Sequence, residues 1–209
     1  MDVHQEIRTR REGRRELPLL VWRFGSPVRV IASAPHGGGL GVRRWVLNAE
    51  VPASYGRRDP DRHLAGLGVS LGLPGRGVGM LTAAEVRAFT TGADGGVEAV
   101  VTVGLTHPIL AAAPEDGEGP PAAGTINILV VVPARLGDAA LVNAVATATE
   151  AKTQALRDAG FAATGTATDA VCIACPEAGP PAAFGGPRSV WGARIARAVH
   201  RAVLAGASA

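Results

Sequence analysis

The sequence is poor in lysine, aromatics and cysteine, and each shortage removes a class of function. Basic residues number 21 against 18 acidic ones, and Lys152 is the single lysine among them. The net charge of +3 is too small to mark a nucleic-acid partner. The surplus gathers at the start, in Arg8, Arg10, Arg11, Arg14 and Arg15, where no aromatic residue interleaves to stack on bases. That stretch reads as a basic arm over 1–16, a solvated or frayed terminus rather than a binding tail, ahead of a single domain over 17–209. No run of about 18 apolar residues occurs, which excludes a membrane-spanning helix. The N-terminus also lacks an apolar signal core, so the expected location is cytoplasmic. Cys172 and Cys175 are the only cysteines. Their Cys-x-x-Cys spacing falls late in a strand-like run, where residues three apart point to opposite faces, so they read as core residues. No Gly-Lys-Ser/Thr follows the glycine-rich stretches at 37–39 and 72–79, and no phosphate loop is present. The five histidines form no His-x-x-x-His or His-Glu-x-x-His pair, and there is no Gly-x-Ser-x-Gly elbow.

What is present organises around residues 124–175. Gly124 opens an apolar β-branched run over 126–132 that ends at Pro133. Asp138 is placed to cap a helix over 139–159, and Gly160 stops it. A second β-rich run, 164–175, stops at Pro176. Projected at ~100° per residue, Leu141, Val145, Ala148, Ala155, Leu156 and Ala159 share one face of the helix. Lys152 falls near the middle of that face. Asn143, Glu150, Gln154 and Arg157 occupy the other. Lys152 has two readings: its stem covers the core edge while its ammonium reaches water, or it faces a polar pocket and pairs with a carboxylate or an oxyanion.

The rest of the chain supplies more strands than helices. Residues 17–24 and 28–34 read as strands joined in a hairpin at Gly25-Ser26-Pro27. Residues 44–51 read as a strand in which Asn48 and Glu50 share a face. Tyr55, the only tyrosine, follows in a loop. Asp59-Pro60 is a helix start, for a helix to about residue 72 that carries His63. Residues 86–90 and 97–105 read as a hairpin, 111–123 as a Pro- and Gly-rich surface loop, and 189–204 as a closing helix. The expected fold class is α+β: one domain with a mixed, mainly antiparallel sheet and helices packed on it. Two sheets in an αββα sandwich are the variant that so many strands for three helices allow.

Several polar residues interrupt apolar patterns. Asn127 stands in a core strand and must be buried and hydrogen-bonded. Thr164, Thr166 and Thr168 share a parity that makes either a half-solvated sheet face or the lining of a polar pocket. Asp169 is either a turn-edge residue or a carboxylate held for catalysis.

Over most of 31–175 the chain resembles the adenosylcobinamide amidohydrolases of corrinoid salvage. The resemblance rests on Asn48-Ala49-Glu50-Val51-Pro52 with Tyr55 and Asp59-Pro60, on the stretches 77–84 and 102–105, and most on 124–128, 147–153 and 164–170. It implies a cytoplasmic enzyme that cleaves the amide joining aminopropanol to a propionate side chain of the corrin ring. The products would be adenosylcobyric acid and 1-amino-2-propanol. The corrinoid is then the substrate, no cofactor is expected, and a homo-oligomer is compatible with the reading. The rivals are a corrinoid-binding protein without catalysis and an amidohydrolase for another substrate.

Amide hydrolysis needs an activated nucleophile, a stabilised oxyanion and a proton for the leaving amine. Asp169 or Glu50 are candidates to activate water, with the Thr166 hydroxyl as an alternative nucleophile. Lys152 is the candidate for the oxyanion or the amine. Asn48 and Asn127 are placed to hold the amide, and Tyr55, Thr166 and Glu150 complete the substrate-binding candidates. No metal ligands are assigned, although Glu and Asp leave a metal-assisted route open.

Overall fold

One strand of 18 residues, β2 (Arg15–Ala32), has two halves with different neighbours. This is seen in a computed structural model that describes residues 1–113 and 124–208. Most of the expected loop over 111–123 therefore lies outside the described residues. Strand β3 (Gly39–Glu50) pairs antiparallel with both halves of β2 along one edge. The other edge is shared. Strand β1 (Val3–Glu12) pairs with residues 15–24, and β8 (Ala170–Pro176) pairs with residues 28–32. The changeover falls at Gly25-Ser26-Pro27, where the register shifts between Arg23 and Val28.

Two expectations are corrected here. The Gly25-Ser26-Pro27 hairpin is a bulge inside one strand. A bulge accepts a proline because the ladder there needs no N–H donor, and a Cβ on Gly25 would press on the Asp2 side chain. The basic arm is likewise not a frayed terminus over its length, since residues 3–12 form β1. The turn Gly13-Arg14 returns the chain, with Gly13 at φ 60°, as a two-residue hairpin turn with glycine first requires. Some charges of the arm are paired: Glu6 with Arg8 and Arg23, and Arg10 with Glu12.

Helix α1 (Pro60–Ser70) carries the chain from β3 to β4 (Gly77–Thr82). A 3-10 turn at Val86–Ala88 then stands where a strand was expected. Strands β5 (Thr90–Asp94) and β6 (Val97–Gly104) form a hairpin, its first strand shifted from the expected 86–90 into what read as the turn, so that only Gly95-Gly96 connects them. Strand β7 (Thr125–Val131), helix α2 (Asp138–Asp158), β8 and helix α3 (Val190–Ala207) complete the order. The sheet runs β4-β3-β2-β8-β7-β6-β5, with β1 beside β2. Among the described strands only β3–β4 and β7–β8 pair in parallel, and each of those pairs is joined by a helix, as a parallel connection demands. The sheet is thus mixed and mainly antiparallel.

Three buried clusters show how it folds. Leu19, Val21, Trp45 and Leu47 pack with Leu64 of α1. Their alternate neighbours Leu20, Trp22 and Val46 meet Val78, Met80, Leu129 and Cys172. Ile126, Ile128, Val171 and Ile173 face Leu141, Ala148 and Leu156 of α2 and Ile195 and Val199 of α3. The central strands β2, β3, β7 and β8 are therefore buried on both faces, which is why they read as near-continuous apolar runs. The layers are α1, two halves of a folded sheet, and α2 with α3: the αββα arrangement. Cys172 and Cys175 fall on opposite faces as expected, in the middle and the helix-side cluster, and both are free.

Two helix starts differ in detail from expectation. Gly137, not Asp138, is the N-cap of α2, and Asp138 pairs with Arg29 instead. Asp59 holds the cap position of α1, but its carboxylate binds Arg57 at 3.0 and 2.9 Å. The strand expected over 164–175 contracts to β8, leaving 164–169 as a loop. Among the described residues, no helix is long and apolar enough to cross a membrane.

Candidate active site

The middle layer is apolar except at one end. There Asn48 of β3 and Asn127 of β7 replace the core residues that their parity calls for, and each is 2% exposed. Asn127 Nδ2 donates to Asn48 Oδ1 at 2.8 Å and to the Leu81 carbonyl at 2.7 Å. Asn48 Nδ2 donates to Thr102 Oγ1 at 2.9 Å. Both amide hydrogens of Asn127 are thus spent, and its Oδ1 is buried without a partner among the described residues. Most buried polar atoms are paired, so such an orphan points to a missing ligand group or water.

Asn127 lines a cavity of about 350 Å³. Its other walls include Ser33, Val51, Tyr55, Leu81, Thr125 and Thr168. These residues come from the ends of β2, β3, β4, β7 and β8, so the fold of the sheet creates the opening. One wall is a chain of hydroxyls: Thr168 Oγ1 lies 2.7 Å from Thr125 Oγ1 and 3.1 Å from the Gly124 carbonyl.

Behind that wall sits the ion pair of Lys152 and Asp169, with side chains 8% and 11% exposed. Asp169 is fully engaged. Oδ1 accepts from the Ile126 N–H at 2.9 Å and lies 2.5 Å from Thr166 Oγ1; Oδ2 accepts from the Thr166 N–H at 3.1 Å and from the Lys152 ammonium. Thr166 Oγ1 also reaches the Gly124 carbonyl at 2.8 Å. A Cβ on Gly165 would collide with both Asp169 and Lys152, so glycine is what lets the 164–169 loop close over the pair. Asp169 is therefore a turn-edge residue and also the partner of Lys152.

The sequence candidates thus fall in separate places. Asn127 and Tyr55 line the cavity, and Asn48 supports Asn127. Lys152, Asp169 and Thr166 form one cluster that adjoins it through Gly124. The Glu50 carboxylate accepts the Val86 N–H at 2.8 Å and anchors the 3-10 turn. Glu150 is exposed on the outer face of α2, beside Thr149, Thr153 and Arg157. Among the described residues, no three His, Cys, Asp or Glu side chains converge as metal ligands.

One constellation lay outside the sequence reading. Tyr55 Oη lies 2.9 Å from Nδ1 of His63, whose Nε2 lies 3.0 Å from Glu12 Oε1. Arg10 Nε donates to the same Glu12 oxygen at 2.7 Å, and Arg10 Nη2 donates to the Glu50 carbonyl at 2.7 Å. Burial works against the Glu12 charge, but the hydrogen bonds and charges of Arg10 and His63 outweigh it and hold the carboxyl below its usual range. Burial pushes the Tyr55 phenol upward, which keeps it a neutral O–H donor at neutral pH. The helix start at Asp59-Pro60 fixes His63 in the first turn of α1, and the sequence showed that much. The partner Glu12 depends on β1, which the density of charge in the arm concealed.

Comparison with known proteins supplies a family. The adenosylcobinamide amidohydrolase family model matches residues 2–209. The adenosylcobinamide amidohydrolase of Methanosarcina mazei is 31% identical over 178 residues, covering 81% of this chain and 85% of that protein. The protein of the same name from Halobacterium salinarum is 40% identical over 121 residues, covering 53% of this chain and 50% of that protein. Among solved structures, the PH0078 protein of Pyrococcus horikoshii OT3 shares the fold at a TM-score of 0.53 and 12% identity, over 98% of this chain and 83% of that one.

Proposed function

The chain belongs to the adenosylcobinamide amidohydrolase family, and from that premise we propose that it hydrolyses the aminopropanol amide of adenosylcobinamide. The products are adenosylcobyric acid and 1-amino-2-propanol, and the setting is corrinoid salvage. The chain is an amide-bond hydrolase by family; the bond and the products are the reading advanced here.

The observation that carries it is the cavity above Asn127. Its volume of about 350 Å³ is at the low end for a small-molecule site, far too small for a corrin macrocycle. It suits the amide-bearing side chain, with the ring resting outside. The orphaned Asn127 Oδ1 is an acceptor ready for the N–H of that amide, and the hydroxyls of Thr125 and Thr168 line the same cavity.

On this reading Lys152 and Asp169 position the loop that carries Thr168. Both Asp169 oxygens are already engaged, Oδ1 by the Ile126 N–H and Oδ2 by the Thr166 N–H and the Lys152 ammonium, so neither is turned to a water in the cavity. Glu50 serves the wall in the same way, through Val86.

The test incubates the purified protein with adenosylcobinamide and detects 1-amino-2-propanol by mass spectrometry, without nucleotide. A parallel sample is treated with chelator to address metal dependence. Release of aminopropanol in the absence of ATP is expected. Intact substrate, or a strict need for ATP, would sink the proposal.

A further inference from the structure

The Tyr55–His63–Glu12 line has the connectivity of a relay rather than of packing alone. Its members come from three elements: the loop after β3, helix α1, and β1. Glu12 is kept ionised by Arg10, so the hydrogen between His63 and Glu12 belongs on Nε2. In the neutral imidazole Nδ1 is then a lone pair, and the Tyr55 O–H is its donor at 2.9 Å. With its proton committed to His63, the Tyr55 oxygen has only lone pairs left for the cavity that Tyr55 lines. A hydroxyl, an imidazole and an oriented carboxylate in series make the arrangement that activates a hydroxyl or a water.

We propose that Tyr55, His63 and Glu12 form a proton relay for amide hydrolysis, with Tyr55 as the catalytic residue that touches the attacking water. The inference rests on the amidohydrolase reading above. As the water oxygen bonds to the amide carbon, its proton passes to the Tyr55 oxygen and the Tyr55 proton passes to Nδ1 of His63. The imidazolium is balanced by the Glu12 carboxylate. When the C–N bond breaks, the proton returns from Nδ1 through Tyr55 to the amine nitrogen. The carboxylic acid product gives its remaining proton to solvent, and the three side chains end as they began. His63 and Glu12 are positioning residues that act through Tyr55. The charged or titratable groups around the relay are Arg10 and Glu12 on β1, and Arg57 and Asp59 beside Tyr55.

The test measures kcat against pH, and substrate binding by equilibrium dialysis, for the wild type and for Tyr55→Phe, His63→Gln and Glu12→Gln. Tyr55→Phe should bind adenosylcobinamide within about threefold of the wild type and lose roughly 100- to 10,000-fold in kcat, the range for one acid–base group. The wild-type profile should fall on the acid side, because the relay needs a neutral imidazole. That limb should vanish in His63→Gln and change in Glu12→Gln, which removes the carboxylate that His63 Nε2 meets at 3.0 Å. An active wild type with unimpaired Tyr55→Phe, or an acid limb unchanged in both other variants, would overturn the relay while leaving the function standing. A folded wild type that binds adenosylcobinamide but never cleaves it would overturn the function, and the catalytic role of Tyr55 with it.

Discussion

Asn48 and Asn127, 79 residues apart in the chain, hydrogen-bond amide to amide at 2.8 Å between the two halves of the sheet. The orientation of Asn127 is not free. The Leu81 carbonyl at 2.7 Å can only accept, so the nitrogen must face it and the carbonyl oxygen must be the atom left over. The pair thus ties two structural halves together and presents an unsatisfied acceptor beside the cavity.

Asn127→Asp tests that orientation. The substitution keeps the shape and sets an oxygen against two acceptors, Leu81 O and Asn48 Oδ1. Two buried hydrogen bonds are lost and their partners stay dry, so the variant should lose about 2–4 kcal/mol of stability. Urea unfolding should show a lower midpoint with an unchanged slope. A midpoint equal to the wild type's would mean that the amide is free to turn.

The Lys152–Asp169 pair calls for a double-mutant cycle. Lys152→Met removes the charge and leaves Asp169 buried, which should cost about 3–5 kcal/mol. Lys152→Met with Asp169→Asn removes both charges and should recover part of that loss, with a coupling energy of about 1–3 kcal/mol. Arg157→Met, on a side chain 75% exposed, should change little. If the pair positions the loop, turnover per folded molecule of the double variant should stay within roughly tenfold of the wild type. A well-folded double variant slowed by a full acid–base contribution, about 100-fold or more, would return Lys152 to the chemistry.

Parity was the legible part of this sequence. It put Asn127 on a buried strand, put Cys172 and Cys175 on opposite faces, and put Lys152 inward and Glu150 outward on α2. Each follows from a local period that tertiary packing then respected. The misreadings share a cause in non-local pairing. Gly25-Ser26-Pro27 has the composition of a turn, but whether it becomes a turn or a bulge depends on β1 and β8 arriving at the same edge of β2. Charges at most positions of 4–12 hid the alternation of β1. Glu12 and His63 lie 51 residues apart, and no spacing within either segment announces that contact.

Cys172 offers a quick check of the middle layer. Burial pushes its thiol up to about 12, and the residue is 0% exposed. Cys175 is raised in the same direction by burial. Neither thiol should react with a disulfide reagent in the native protein at pH 8, and both should react at once in denaturant. Labelling of the native protein at the rate of a free thiol would show that the sheet halves open.

Acid should release β1 before the rest of the fold. Burial raises the Glu6 carboxyl, but the hydrogen bonds and charges of Arg23 and Arg8 outweigh it. Glu6, like Glu12, is therefore held below its ordinary value of 4.5. A carboxyl with a lowered folded-state pKa adds stability that is fully present above its unfolded value and is lost as pH falls through the folded one. The contribution of β1 should thus be intact above about pH 5 and fade below pH 4.5. Hydrogen exchange, corrected for intrinsic rates, should show the amides of residues 3–12 losing protection on going from pH 6 to pH 3.5 while β7 and β8 keep theirs. Glu6→Gln, which leaves the Glu12–His63 contact in place, should flatten part of that response near Arg23. Loss of protection in all strands together would mean that β1 is no separate unit and that the Glu6 and Glu12 pairs are fastened to the whole sheet.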